Sequence, residues 1–232
     1  MGNRTTLNRA LSKLGICSRV DAVKLISEGQ VLVNNNIVTK TLTWVDIGND
    51  KITILKQKTN QKQNIYLAMN KPKGYITTKS DERGRKTVYN LISKEYTKWL
   101  FPAGRLDKDS QGLLLFTNDG LWQDRILSPQ SHLKKTYLVW TKKPLTQKDI
   151  TTLEQGINLD NCALQPCTIT SESDHYKIII SEGKNRQIRK MISHVGTTVT
   201  KLERIQIDHL SLEKLNLKSG EVKQINPQEI FD

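Results

Sequence analysis

Cysteine is scarce in this chain of 232 residues: Cys17, Cys162 and Cys167 are the whole set. An odd, sparse count argues against a disulfide framework and for a reducing compartment. Cys162 and Cys167 stand five apart with no histidine or second cysteine pair at zinc spacing, so free thiols are expected and no metal site. Long apolar runs are missing too. None reaches the ~18 residues that a membrane helix needs, and the N-terminus lacks a signal-peptide core. A cytoplasmic protein without a membrane span is the expectation. Acidic residues are outnumbered, with 23 Asp and Glu against 36 Lys and Arg and a formal net charge of +13. The excess runs through the chain: nine basic against four acidic residues in 1–60, and 27 against 19 in 61–232. Such a surface favours a polyanion partner, of which nucleic acid is the commonest.

What is present divides in two. Leu7, Ala10, Leu11 and Leu14 recur at i, i+3, i+4 and i+7, one apolar face of a helix over 5–14 that Gly15 ends. Ser18 reads as the N-cap of a second helix over 19–28, with Val23 and Ile26 facing inward and Gly29 as its stop. VLVNNNIV then supplies two β-rich runs around an asparagine turn, and 45–48 and 51–55 suggest further strands. Residues 56–64, KQKTNQKQN, contain no apolar residue and read as a linker. The boundaries are set at 1–57 for a small α/β module, 58–64 for the linker and 65–232 for a second domain. In that domain 66–69, 113–117, 137–140 and 176–181 read as strands, 70–74 as a basic turn, 149–156 as a helix and 197–225 as short β-like runs. Ile188, Met191, Ile192 and Val195 mark an amphipathic helix closed by Gly196, with Arg186, Arg189 and Lys190 on a neighbouring face.

The most informative stretch is GRLDKDSQGLLLFTNDG at 104–120. It sets Arg105, Asp107, Lys108 and Asp109 directly before an apolar strand. Taken alone, Asp107 and Asp109 fit a metal pair of a nuclease, with Asp119 as a third carboxylate, or simple turn caps. The wider pattern is more definite. GRLDKDSQGLLLFTND resembles the catalytic motif of the RsuA/RluB/RluE/RluF family of ribosomal RNA pseudouridine synthases. NKPKG at 70–74, KKTYLV at 134–139 and EGKNRQIRKM at 182–191 resemble that family's other ordered motifs, and residues 7–38 resemble the S4 RNA-binding domain that precedes its catalytic domain. GICSR, FPAGRLDKDSQG, NRQIRKM and KLER are nearest to the F type of large-subunit enzymes. One departure is IDHLSL at 207–212, where most relatives carry a glycine after the isoleucine.

The resemblance implies an α+β chain: an S4-like module, then a catalytic domain on a mixed, mostly antiparallel β-sheet with flanking helices. It implies isomerisation of uridine to pseudouridine in 23S ribosomal RNA without a cofactor, because no atom is gained or lost and no redox change occurs. Asp107 would be the catalytic carboxylate and Arg189 the cation that keeps it ionised against burial. Tyr137 would stack on the uracil. The target must be extruded from its stack, at a cost of a few kcal/mol, and Arg105 would fill the gap. Lys71, Lys73, Arg186 and Lys190 would bind phosphates, with Arg9, Ser18, Arg19 and Lys24 as RNA contacts of the S4-like module. Ile188 fits either pocket wall or core. A 16S or tRNA anticodon uridine, or a non-catalytic S4-type ribosome-associated factor, remain alternatives, and a monomer is expected. The charge makes one prediction directly. RNA affinity should fall steeply with salt in a filter-binding titration, by roughly 10³-fold between 50 and 200 mM if about six phosphates are contacted.

Overall fold

The computed structural model describes residues 4–17, 19–55, 63–97, 99–159 and 162–231. The chain divides into two compact units, Met1–Ile65 with Asn118–Asp124, and Tyr66–Thr117 with Arg125–Asp232. Most of the expected linker, and Ser18, lie outside the described residues. No helix among the described residues is long and apolar enough to cross a membrane.

In the first unit β1 (Arg4–Thr6) leads into α1 (Leu7–Lys13), followed by α2 (Arg19–Ser27), β2 (Val31–Val33), β3 (Asn36–Ile37), β4 (Trp44–Asp46) and β5 (Ile52–Ile54). β1 pairs antiparallel with β4, and β3, β2 and β5 form a second small sheet. α1 starts later than the periodicity suggests, because Arg4–Thr6 is extended and paired with Trp44–Asp46. Leu7, Ala10 and Leu11 are buried, whereas Leu14 is the exposed C-cap. Gly15, with φ +68°, reverses the chain there. On α2 the inward residues are Ala22 and Ile26; Val23, expected inside, is exposed. Asn34 and Asn35 both take positive φ, as a tight hairpin turn between β2 and β3 requires.

The second unit comprises β6 (Tyr66–Lys71), α3 (Lys94–Thr97), β7 (Phe101–Pro102), β8 (Gln111–Thr117), β9 (Lys135–Thr141), α5 (Gln147–Glu154), β10 (Asn158–Leu159), β11 (Cys162–Ala163), β12 (Thr168–Ser171), β13 (Tyr176–Ile180), α6 (Gln187–His194), β14 (Val199–Ile207), β15 (Leu210–Ser211), α7 (Leu212–Leu215) and β16 (Val222–Gln224); α4 (Gly120–Leu127) straddles the division. Nine strands form one sheet in the order β12-β13-β9-β14-β8-β6-β16, with β15 beside β14 and β7 beside β8. Every pairing in it is antiparallel except β8 with β14. Leu113–Phe116 is wholly buried, which explains a continuous apolar run instead of an alternating one. Two readings of the sequence are corrected. Asn70 and Lys71 are the last residues of β6, not a turn, and 199–207 is one nine-residue strand in mid-sheet instead of short runs. Asp208 has φ +47° in the turn from β14 to β15; aspartate tolerates that conformation better than most residues.

The parallel join brings two backbones unusually close. Gly112 has φ +106°, and a Cβ there would collide with the backbone of Arg204. Arg204 is buried and its Nε donates to the Leu113 carbonyl at 2.8 Å. Gly112→Ala should therefore lower the unfolding free energy by about 2–4 kcal/mol, measured by denaturant titration.

Candidate active site

The loop 104–110 is held by a lysine. Lys71 is fully buried, and its ammonium donates to the carbonyls of Pro72 at 3.1 Å, Asp107 at 3.1 Å and Ser110 at 2.6 Å. Three N–H donors thus meet three acceptors. Phosphate binding by Lys71 is corrected on this ground: a group with no exposed surface has no access to RNA. Burial pushes its pKa down to about 8, partly opposed by the charges of Asp107 and Asp109. Leu67, Met69 and Lys71 share one face of β6, so extending the strand's period by one step would have found it. Further bonds complete the grip. Gly74 N–H donates to the Lys108 carbonyl at 2.8 Å, and the Thr77 hydroxyl donates to the Leu106 carbonyl at 2.8 Å and accepts from Leu106 N–H at 3.3 Å.

The loop presents the Asp107 carboxylate with a third of its side-chain surface exposed, shallower than burial behind the strand implies. Its ion-pair partner is Arg186, Nη1 to Oδ2 at 3.4 Å, and not Arg189. Arg186 is also not on the helical face expected for it. It is the left-handed N-cap of α6, φ +51°, which turns its side chain away from the helical series. Arg189, one turn further on, binds the loop's backbone: Nη2 donates to the Asp109 carbonyl at 3.0 Å and to the Ser110 hydroxyl at 3.3 Å, and Nη1 to the Val199 carbonyl at 3.3 Å. Its Nε is buried without a hydrogen-bond partner among the described residues. Burial, followed by the charge of Arg186, lowers the Arg189 pKa, while Asp107 and Asp109 oppose that shift. One arginine therefore pairs the carboxylate and the other fixes the loop carrying it. Ile188 is buried with Met191 and Ile192, as core.

Tyr137 is in β9, almost buried. Its cross-strand neighbours are Ile178 and Arg204. Arg204 pairs with Gly112, and Gly112 with Lys71. Tyr137, Arg204, Gly112 and Lys71 thus form one row across the sheet, which puts Tyr137 roughly 10 Å from β8 at the usual strand spacing. As a strand arginine in KLER, Arg204 carries no mark of burial in the sequence. Of the remaining basic positions, Lys73, Arg105, Arg9, Arg19 and Lys24 are exposed and Lys190 is half-buried. Lys24 stands 4.0 Å from Glu28. Asp107, Asp109 and Asp119 are not part of any group of three or more metal-ligating side chains among the described residues.

The site sets a carboxylate on a cation-clamped loop, with a strand tyrosine in the same sheet; it is the likeness to known proteins that makes the chain an RNA-modifying enzyme. Comparison with known proteins gives the family. Residues 65–194 match the RNA pseudouridylate synthase model and residues 5–48 the S4 domain. The chain belongs to the RNA pseudouridylate synthase family. It is 32% identical over 231 residues to the ribosomal large subunit pseudouridine synthase B of Bacillus subtilis, covering 97% of this chain and 93% of that one. It is 33% identical over 232 residues to the dual-specificity RNA pseudouridine synthase RluF of Escherichia coli K12, covering 97% and 77%. A crystal structure of a pseudouridylate synthase superposes with a TM-score of 0.72 at 28% identity, covering 98% of each chain.

Lys71→Met should leave three carbonyls without their donor, the buried one of Ser110 at a cost of ~1–3 kcal/mol, and loosen the Asp107 loop. Activity and stability should both fall. The folded-state pKa near 8 lies below the ordinary 10.5. Between those values the unfolded chain holds a proton that the folded chain lacks, so Lys71 makes stability rise with pH across that window. The difference between wild type and Lys71→Met in denaturant titrations from pH 7.5 to 10.5 measures this contribution.

Proposed function

We propose that this enzyme isomerises a specific uridine of 23S ribosomal RNA, with Asp107 as the catalytic carboxylate. The observation that carries the proposal is the Asp107 loop itself: its backbone is bound by Lys71 and Arg189, and its carboxylate is left partly open beside Arg186. The N1–C1′ bond of the flipped uridine breaks, the uracil turns, and C5 bonds to C1′. The proton leaves C5 and N1 takes one up, so the atoms balance with no cofactor. Asp107 attacks or stabilises the sugar or base, while Tyr137 packs against the uracil and helps the proton transfer. Arg189 acts on Asp107 mainly by holding its loop. Arg105 fills the gap left by the extruded uridine, and Lys73, Arg186 and Lys190, with Arg9, Arg19 and Lys24, supply contacts that position the RNA without specifying sequence.

The large-subunit target is supported by the relative named for the ribosomal large subunit. A relative is named dual-specificity, which supports testing a second RNA, and a tRNA anticodon uridine is the candidate. A non-catalytic binding factor would have no use for a carboxylate held in this way.

Unmodified 23S, 16S and tRNA transcripts, incubated with the enzyme in EDTA and then mapped by carbodiimide labelling and primer extension, test the proposal. One new pseudouridine in 23S RNA is expected, untouched by the chelator. Asp107→Asn should reduce the single-turnover rate by at least about 10³-fold while still binding RNA. A product on 16S or tRNA alone would move the target, and full activity in Asp107→Asn would remove the assigned carboxylate.

A further inference from the structure

Between β6 and residue 88 the chain makes a basic excursion, YITTKSDERGRKT at 75–87, that none of the roles above uses. Its base is tied to the Asp107 loop through Gly74 to Lys108 and Thr77 to Leu106. Ile76 and Thr87 bridge the two arms, and Ile76 N–H donates to the Lys86 carbonyl at 3.0 Å.

The tip is closed by its own hydrogen bonds. Asp81 keeps only 7% of its side-chain surface exposed. Its carboxylate accepts from Arg83 N–H at 3.1 Å, from Arg85 N–H at 2.8 Å, and from the Arg85 guanidinium through Nη2 at 2.6 Å and Nε at 3.1 Å. The hydrogen bonds from the Arg85 side chain are the chief reason its pKa falls to about 2. Gly84, φ +67°, makes the turn, and its N–H donates to the Asp81 carbonyl. The tip displays Arg83 and Lys86, both exposed. The Arg83 side chain has no hydrogen bond or ion pair among the described residues, and the Lys86 ammonium lies 5.9 Å over the Tyr75 ring.

We propose that the 81–86 tip is a preformed RNA-binding element, in which Asp81 fixes the backbone so that Arg83 and Lys86 meet phosphates of the strand flanking the target uridine. A free loop would lose conformational entropy on binding; a loop already closed around a carboxylate loses little. Its attachment to the Asp107 loop keeps those cations in a fixed relation to the reacting carboxylate. This assignment rests on the RNA-modifying function proposed above.

A charge-reversed expectation makes the test sharp. Removing a carboxylate from a protein should tighten RNA binding if charge alone matters. Asp81→Asn should instead weaken it several-fold, because the tip opens. Arg83→Ala should make the log–log salt dependence shallower by about 0.7–0.9, one phosphate contact. The full-length protein and an unmodified 23S transcript are used, with filter binding across a KCl series and circular dichroism melting of each variant. Equal or tighter binding by a folded Asp81→Asn, or an unchanged slope for Arg83→Ala, overturns the assignment. Wild-type uridine conversion in the same samples tells that failure apart from a failure of the RNA-modifying function. Should Asp81→Asn not fold, the Arg83→Ala slope decides alone.

Discussion

A buried ammonium is the contact on which the site depends. Removing a lysine charge from water costs several kcal/mol, and here three carbonyls offset it. Two of the three belong to the turn that begins at Asp107 and ends at Ser110. The loop is therefore held by its backbone, and among the described residues its carboxylate meets only Arg186, at 3.4 Å. A direct bond from Lys71 to the Asp107 carboxylate would occupy the group that the proposed chemistry needs free. Arginine would not substitute, because its flat fork does not match three converging carbonyls.

The sheet extends that control outward. Lys71, Gly112, Arg204 and Tyr137 share one cross-strand row, so the lysine that grips the loop and the tyrosine are parts of a single hydrogen-bonded ladder. Gly112 admits the Arg204 backbone, and Arg204 in turn holds the Leu113 carbonyl. Catalytic groups borne on such a frame keep their geometry better than groups on free loops. The second anchor, Arg189, comes from α6, whose apolar residues Ile188, Met191 and Ile192 are buried. Two elements far apart in sequence thus hold one heptapeptide by its backbone.

Much of this was legible beforehand. The apolar face of α1, the asparagine hairpin, the buried strand behind Asp107 and the amphipathic α6 follow from local periodicity and turn chemistry, which need no distant partner. The composition fixed the choice of a polyanion, and the ordered motifs carried the family. Boundaries were less secure. Residues 5 and 6 look helical until Trp44–Asp46 pairs with β1, and 199–207 looks broken until β8 and β9 flank it.

The sequence by itself determined which residues are available: a carboxylate loop before an apolar strand, two arginines three apart, and a lysine ending another strand. Only the tertiary structure decided their tasks. Lys71 resembles any basic residue in a turn until the sheet buries it. Arg186 and Arg189 look interchangeable until a positive φ at Arg186 sends it to the carboxylate and leaves Arg189 to the backbone. The physical reason is the same in each case. Side-chain identity is local, but desolvation and the partner that relieves it are set by segments tens of residues away.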